Sequence, residues 1–180
     1  MAVTEQAPAY HLTSILAVET GREPALAARL RALSGADPSP FTRLPATHYV
    51  RLAPFDRLGA NVPGEEVEPV EGTYLLVSFI FDGDPDRYLV ALARVCRQEV
   101  EDIFGCCEGW PGPRDLAAFA TWVRSGEQSA LHRFGALPAS APHIRSVLDL
   151  RQQLINFAVD TQDLSASDLH EAYLKQFGPP

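Results

Sequence analysis

The chain has 180 residues, 46% of them hydrophobic, enough for one domain with one ample core. A formal net charge of −8 and a pI near 5.0 argue against a nucleic-acid partner, which wants clustered Lys and Arg; the nearest approach, Arg22, Arg29 and Arg31, reads as a solvated helix face. No apolar run reaches the roughly 18 residues of a membrane span, and MAVTEQAPAYHL lacks the basic start and apolar stretch of a secretory signal, so no membrane partner and a cytoplasmic location are expected.

Residues 1–9 read as a loose leader, 10–160 as the domain and 161–180 as a C-terminal amphipathic helix or tail. Alternation in 11-HLTSILAV-18 predicts a strand. A helix is predicted over 23–34, with Pro24 in the first turn and Gly35 closing it, then a Pro-rich crossing over 36–46. The segment 47-THYVRLAPFD-56 predicts a strand. Its two-residue period sends His48, Val50 and Leu52 one way and Thr47, Tyr49 and Arg51 the other. Pro54 ends its regular pairing or marks an edge. The acidic, Gly- and Pro-rich 57–72 predicts a long hairpin loop. The almost wholly apolar 73-TYLLVSFIF-81 predicts a central strand buried on both faces.

The acidic stretch 82-DGDPD-86 has the look of a calcium loop, but Arg87 and Ala93 stand where such a loop needs Gly and Glu. It reads as punctuation: Asp82-Gly83 turns out of the strand, Asp84 caps a helix, Pro85 opens it, and Asp86 meets its dipole. That helix is predicted over 85–104, with Tyr88, Leu92, Val95, Cys96, Val100 and Ile103 on one stripe. Three cysteines, Cys96, Cys106 and Cys107, form neither a disulfide framework nor a zinc pattern. Cys106-Cys107 follow a helix C-terminus, where the dipole raises a thiol pKa, and read as small buried turn residues. Further on, helices are predicted over 114–126, 142–159 and 165–177, with a short strand over 129–137. Ile144, Val147, Leu148, Leu154 and Phe157 form the apolar positions of the second of these helices. Leu169, Tyr173 and Phe177 form those of the last, which is expected to dock on the domain or on a partner subunit.

The resulting order predicts an α+β fold: a ferredoxin-like βαββαβ antiparallel sheet with extra C-terminal helices. Such a sheet has one face covered by its crossover helices. Its open face needs a lid, supplied by a second copy or by the surplus helices after residue 138.

Three motifs, 47-THYVR-51, 75-LLVSFIFDG-83 and 103-IFGCCEGWPG-112, resemble those of an uncharacterised bacterial family that is similar to the dimeric α+β barrels. That superfamily includes dye-decolorising peroxidases, chlorite dismutases, haem-degrading monooxygenases and cofactor-free quinone-forming monooxygenases. His48, Arg51, Asp82, Gly83, Cys107, Gly109 and Pro111 match the family pattern. Phe79-Ile80 departs from it, standing where the family has a polar Ser-Asn pair. The resemblance covers most of 10–160 and implies the fold more than an activity.

His48 and Arg51 are the candidate catalytic residues. A half-buried imidazole suits a general base near neutral pH, and a guanidinium suits a carboxylate or an enolate-like oxygen. A regular strand separates the two, so only a bulge, which Pro54 could accompany, brings them together; otherwise His48 is a packed strand histidine and Arg51 an ion-pairing residue. Tyr49, Tyr74, Phe79, Phe81, Trp110 and Phe134 are the candidate walls of a pocket for an apolar or aromatic metabolite on the open sheet face. The expected protein is a homodimer binding a small molecule, with monooxygenase-like or isomerase- or cyclase-like chemistry, no metal and no cofactor. Two alternatives stand beside it. One is a non-catalytic binding or assembly module accessory to an oxidoreductase. The other is a haem protein with His132 or His143, and behind them His48 or His11, as axial ligand.

Overall fold

The computed structural model describes residues 9–58, 68–129 and 139–178. Three antiparallel strands, β1 (Tyr10–Ala17), β2 (Thr47–Leu58) and β3 (Glu68–Phe81), form a sheet in the order β1-β3-β2. β3 lies in the middle, as its apolar content predicts. Its two parities differ, however. Leu75, Val77, Phe79 and Phe81 are fully buried, whereas Tyr74, Leu76, Ser78 and Ile80 keep partial exposure. Burial on both faces is therefore replaced by burial on one. Leu12 and Leu16 of β1 share the buried face, as does Ser14, whose hydroxyl donates to the carbonyl of Val123 at 2.8 Å. Pro54 sits in β2, which pairs only with β3 among the described strands, in keeping with an edge position.

Helices cover the buried face. α1 (Glu23–Ser34) has the predicted bounds and contributes Leu26 to the core. A short 3₁₀ turn, Pro40–Arg43, seats Phe41 beside Leu44. α2 (Pro85–Val95) starts as its cap residues dictate: Asp84 accepts the N–H of Arg87 at 2.9 Å, and Pro85 follows it. Gly83, at φ +96°, makes the turn before it, a conformation that side chains with a Cβ avoid. The single predicted helix over 85–104 is in fact two. Cys96 (φ −108°, ψ 41°) ends α2 and opens α3 (Arg97–Phe104). The thiol of Cys96 donates to the carbonyl of Pro40 at 3.5 Å. Val95, the last residue of α2, lies outside the buried stripe of Tyr88, Leu89, Leu92 and Ala93 and is 40% exposed. α4 (Leu116–Ser125), capped by Asp115 through the N–H of Ala118, packs on α2, and α3 packs on α1.

The chain leaving α4 returns to the free edge of β1. Ile15 donates to Gly126 at 3.0 Å, Gln128 donates to Thr13 at 2.7 Å, and Ser14 and Glu127 form an antiparallel bridge. The predicted strand over 129–137 lies, apart from Ser129, outside the described residues. The observed class is mixed α+β, with a three-stranded antiparallel sheet and six helices among the described residues.

The chain divides into two compact units, through Ala141 and from Pro142 onward, whereas the sequence reading closes its domain at 160. The second unit consists of α5 (Ala141–Asp160), from its second residue, and α6 (Ala166–Phe177). Ser165 caps α6 reciprocally: its hydroxyl oxygen accepts the N–H of Asp168 and its O–H donates to the Asp168 carboxylate at 2.8 Å. Phe157 meets Tyr173 and Phe177 edge to face, and those two rings lie tilted to each other, with centroids 5.3–6.0 Å apart. Of the apolar positions of α5, Val147, Leu148 and Leu154 are 49%, 52% and 41% exposed. No described helix is long and apolar enough to cross a membrane.

Candidate functional site

The pairing of β2 with β3 slips by one residue at His48. Thr47 pairs with Phe81, but Tyr49 pairs with Ile80, so His48 is an extra residue with no partner of its own. This is a β-bulge at His48; a second register shift follows Pro54, between Phe55 and Arg57. Its first consequence is for Thr47. The slip sends that side chain into the core, where its hydroxyl lies 3.0 Å from that of Tyr88 and the Tyr88 ring stacks on Phe81 at 3.8 Å. Its second consequence is for His48, which the regular period puts on the face away from Arg51. With the bulge, the imidazole reaches Asp82, the residue after buried Phe81 and hence on the parity of Ile80 and Ser78. Tyr49 and Arg51 share that parity. By this parity the His48–Asp82 pair falls on the side of the sheet that carries Tyr49 and Arg51.

His48 Nε2 lies 2.8 Å from Asp82 Oδ1. A carboxylate only accepts, so Nε2 carries the proton and Nδ1 of the neutral ring keeps its lone pair. Nδ1 has no hydrogen-bond partner among the described residues. Asp82 is itself held: its Oδ2 accepts the N–H of Ala141 at 2.8 Å, and its own N–H donates to Ala46 at 3.0 Å. The two side chains are 17% and 23% exposed, shielded enough to strengthen the bond and open enough for a ligand to reach the ring. The arrangement fixes one tautomer and leaves a basic nitrogen available, as a proton acceptor requires. Arg51 is exposed and forms no ion pair among the described residues.

The rest of the acidic stretch is structural. Asp84 caps α2, Asp86 accepts from Arg124 at 3.1 Å, and the described residues contain no cluster suited to a metal ion.

The predicted pocket walls separate. Tyr49, half-exposed, and Tyr74 lie on the parity of Ser78. Phe79 and Phe81 do not: both are fully buried under the helices and cannot line a site on the opposite face. Trp110 belongs to an aromatic cluster with Phe104, Phe119 and Trp122, centroids 5.4–6.5 Å apart. The depression beside it, about 180 Å³ including open solvent, is smaller than the roughly 300–1,000 Å³ of small-molecule sites. Phe134 and His132 lie outside the described residues. His143 belongs to the second unit, and His11 pairs with Ile80 on β1. Cys106 and Cys107 are buried, and burial, ahead of the neighbouring Cys106 and Glu19, pushes the Cys107 thiol up to about 12. Neither is a poised nucleophile.

Asp82 reads in the sequence as a turn residue and as a match to the family pattern; nothing local pairs it with position 48. Comparison with protein-family models, with curated proteins and with solved structures gave no match.

Proposed function

We propose that this is a small-molecule-binding protein of ferredoxin-like, dimeric α+β barrel type that moves a proton on an apolar or aromatic metabolite. The ligand lies on the sheet face away from the helices, with His48 as base, Asp82 as its positioning residue and Arg51 as the group that binds and orients the ligand through an anionic oxygen. One observation carries the reading: the bulge at His48 gives an otherwise ordinary strand a buried-edge His–Asp pair on the face of Arg51. The strand order β1-β3-β2, with residues 126–128 alongside β1, supports the ferredoxin-like arrangement, in which the fourth strand lies beside the first.

Native mass spectrometry of the purified full chain tests occupancy and oligomeric state together. A co-purified compound is then offered as substrate to wild type and to His48→Asn. The expected result is loss of turnover at an unchanged melting temperature. Unaltered turnover in a folded His48→Asn protein sinks the catalytic role.

A second reading, an assembly module, is favoured by the exposed apolar residues of α5 and α6, among them Leu148, Leu154, Leu169 and Tyr173. It requires that Leu169, Tyr173 and Phe177 replaced by polar residues abolish association while His48→Asn leaves it intact. Association that survives the triple replacement removes it.

A further inference from the structure

On the face away from the helices, the register lines up one polar row across all three strands. Thr13 of β1 pairs with Ser78 of β3, and Arg51 of β2 pairs with the same Ser78. Buried residues flank Thr13 (Leu12 and Ser14) and Ser78 (Val77 and Phe79) along their strands, and Val50 and Leu52, partly buried against the core, flank Arg51. The three therefore share the other face by the two-residue period. The neighbouring rows are mostly apolar. One is Ile15, Leu76 and Ala53; the other, toward the bulge, is His11, Ile80 and Tyr49. None of Thr13, Ser78 and Arg51 has a side-chain hydrogen bond or an ion pair among the described residues.

Directly opposed residues of neighbouring strands have Cβ atoms roughly 5 Å apart, so one guanidinium and two hydroxyls form a continuous strip of donors. A guanidinium fork matches a carboxylate in two parallel hydrogen bonds, and the hydroxyls can donate to the same oxygens. One fixed positive charge balances one negative charge. A dianion would leave charge uncompensated on the face that also bears Asp82, which disfavours phosphate. We propose that this row is the carboxylate subsite of the ligand face. The ligand is a monoanionic carboxylic acid whose apolar body runs over Ile80 and Tyr49 toward His48. Asp82 directly follows β3 and lies four residues beyond Ser78, roughly 13 Å between Cα atoms if the chain stays extended, so an aromatic ring with a short acidic arm fits between the two ends. This inference rests on the sheet-face reading above and adds the charge class of the ligand.

The test is a pair of ¹H–¹⁵N titrations of the full chain, one with phenylacetate and one with its neutral isostere phenylacetamide. Phenylacetate is expected to shift the amides of Thr13, Arg51 and Ser78 and to bind roughly tenfold or more tightly than the amide. Arg51→Gln, at an exposed position and with the wild-type melting temperature, is expected to weaken phenylacetate by roughly tenfold and to leave phenylacetamide unchanged. Arg51→Lys restores part of the loss, since it keeps the charge but not the fork. Thr13→Val and Ser78→Ala each cost roughly threefold. Sheet-face shifts that ignore ligand charge and Arg51 overturn the carboxylate subsite and leave the sheet-face site standing. No sheet-face shift with either compound overturns both.

Discussion

α2 and α6 make an instructive pair. They have 11 and 12 residues, and each begins with a capping side chain bonded to a backbone N–H three residues on. α2 buries Tyr88, Leu89, Leu92 and Ala93, whereas α6 buries nothing. Local chemistry thus decides where a helix starts, and burial decides how much it adds to stability. A helix of this length is marginal in water without a packed face. The first unit supplies that face from its own sheet. The second leaves Leu169, Tyr173 and Leu174 38–49% exposed.

The contrast breaks first in the core. Leu89→Ala, at a fully buried site, is expected to cost about 2–5 kcal/mol in denaturant unfolding. A loss under 1 kcal/mol would mean that α2 is no better anchored than α6.

Alkali comes next. Burial, which outweighs the hydrogen bond with Thr47, pushes Tyr88 from 10.0 to about 12. Burial likewise pushes Cys107 from 9.0 to about 12. Both groups are neutral when protonated, and the folded state holds their protons more tightly than the unfolded chain. Their contribution is therefore full below pH 9 and is lost as pH rises through 12. Unfolding of the first unit at pH 11 should show a loss on the order of 2 kcal/mol, which Tyr88→Phe with Cys107→Ala flattens.

The caps sharpen the comparison. Asp84→Ala and Ser165→Ala each remove about 1 kcal/mol of helix stability. The first is expected to lower the melting temperature of the first unit. The second is expected only to speed amide exchange in α6, because little else depends on it. Smallest of all, Leu154→Gln, 41% exposed, should change the stability of the chain by less than about 0.5 kcal/mol. A larger loss would show that α5 is covered in solution.

Two helix starts were legible because they are written in cap chemistry, Asp84-Pro85 and Ser165; Asp115 was not, its helix being expected from 114 where α4 begins at Leu116. The break at Cys96 was not, since neither Pro nor Gly stands there and the apolar spacing runs through it unaltered. β3 was legible as a central strand but not by face. With apolar residues on both parities, its period is silent, and Phe79 and Phe81 were assigned to the wrong side. Ser78 was the one polar mark of the other parity. Half of the candidate site, His48 and Arg51, was visible as residue types. Their partnership was not, because it depends on a bulge and on Asp82, 34 residues away.

The bulge has a genetic consequence. Thr47 faces Phe81 and Tyr49 faces Ile80, so β2 without codon 48 would pair with β3 from Thr47 to Phe55 without a slip, each side chain of that stretch on its present face. The strand holds one residue more than its pairing needs. Excising His48 should yield a folded protein with a more regular sheet edge and an Asp82 that lacks its imidazole. Such a deletion separates what the strand requires for folding from what it presents to a ligand.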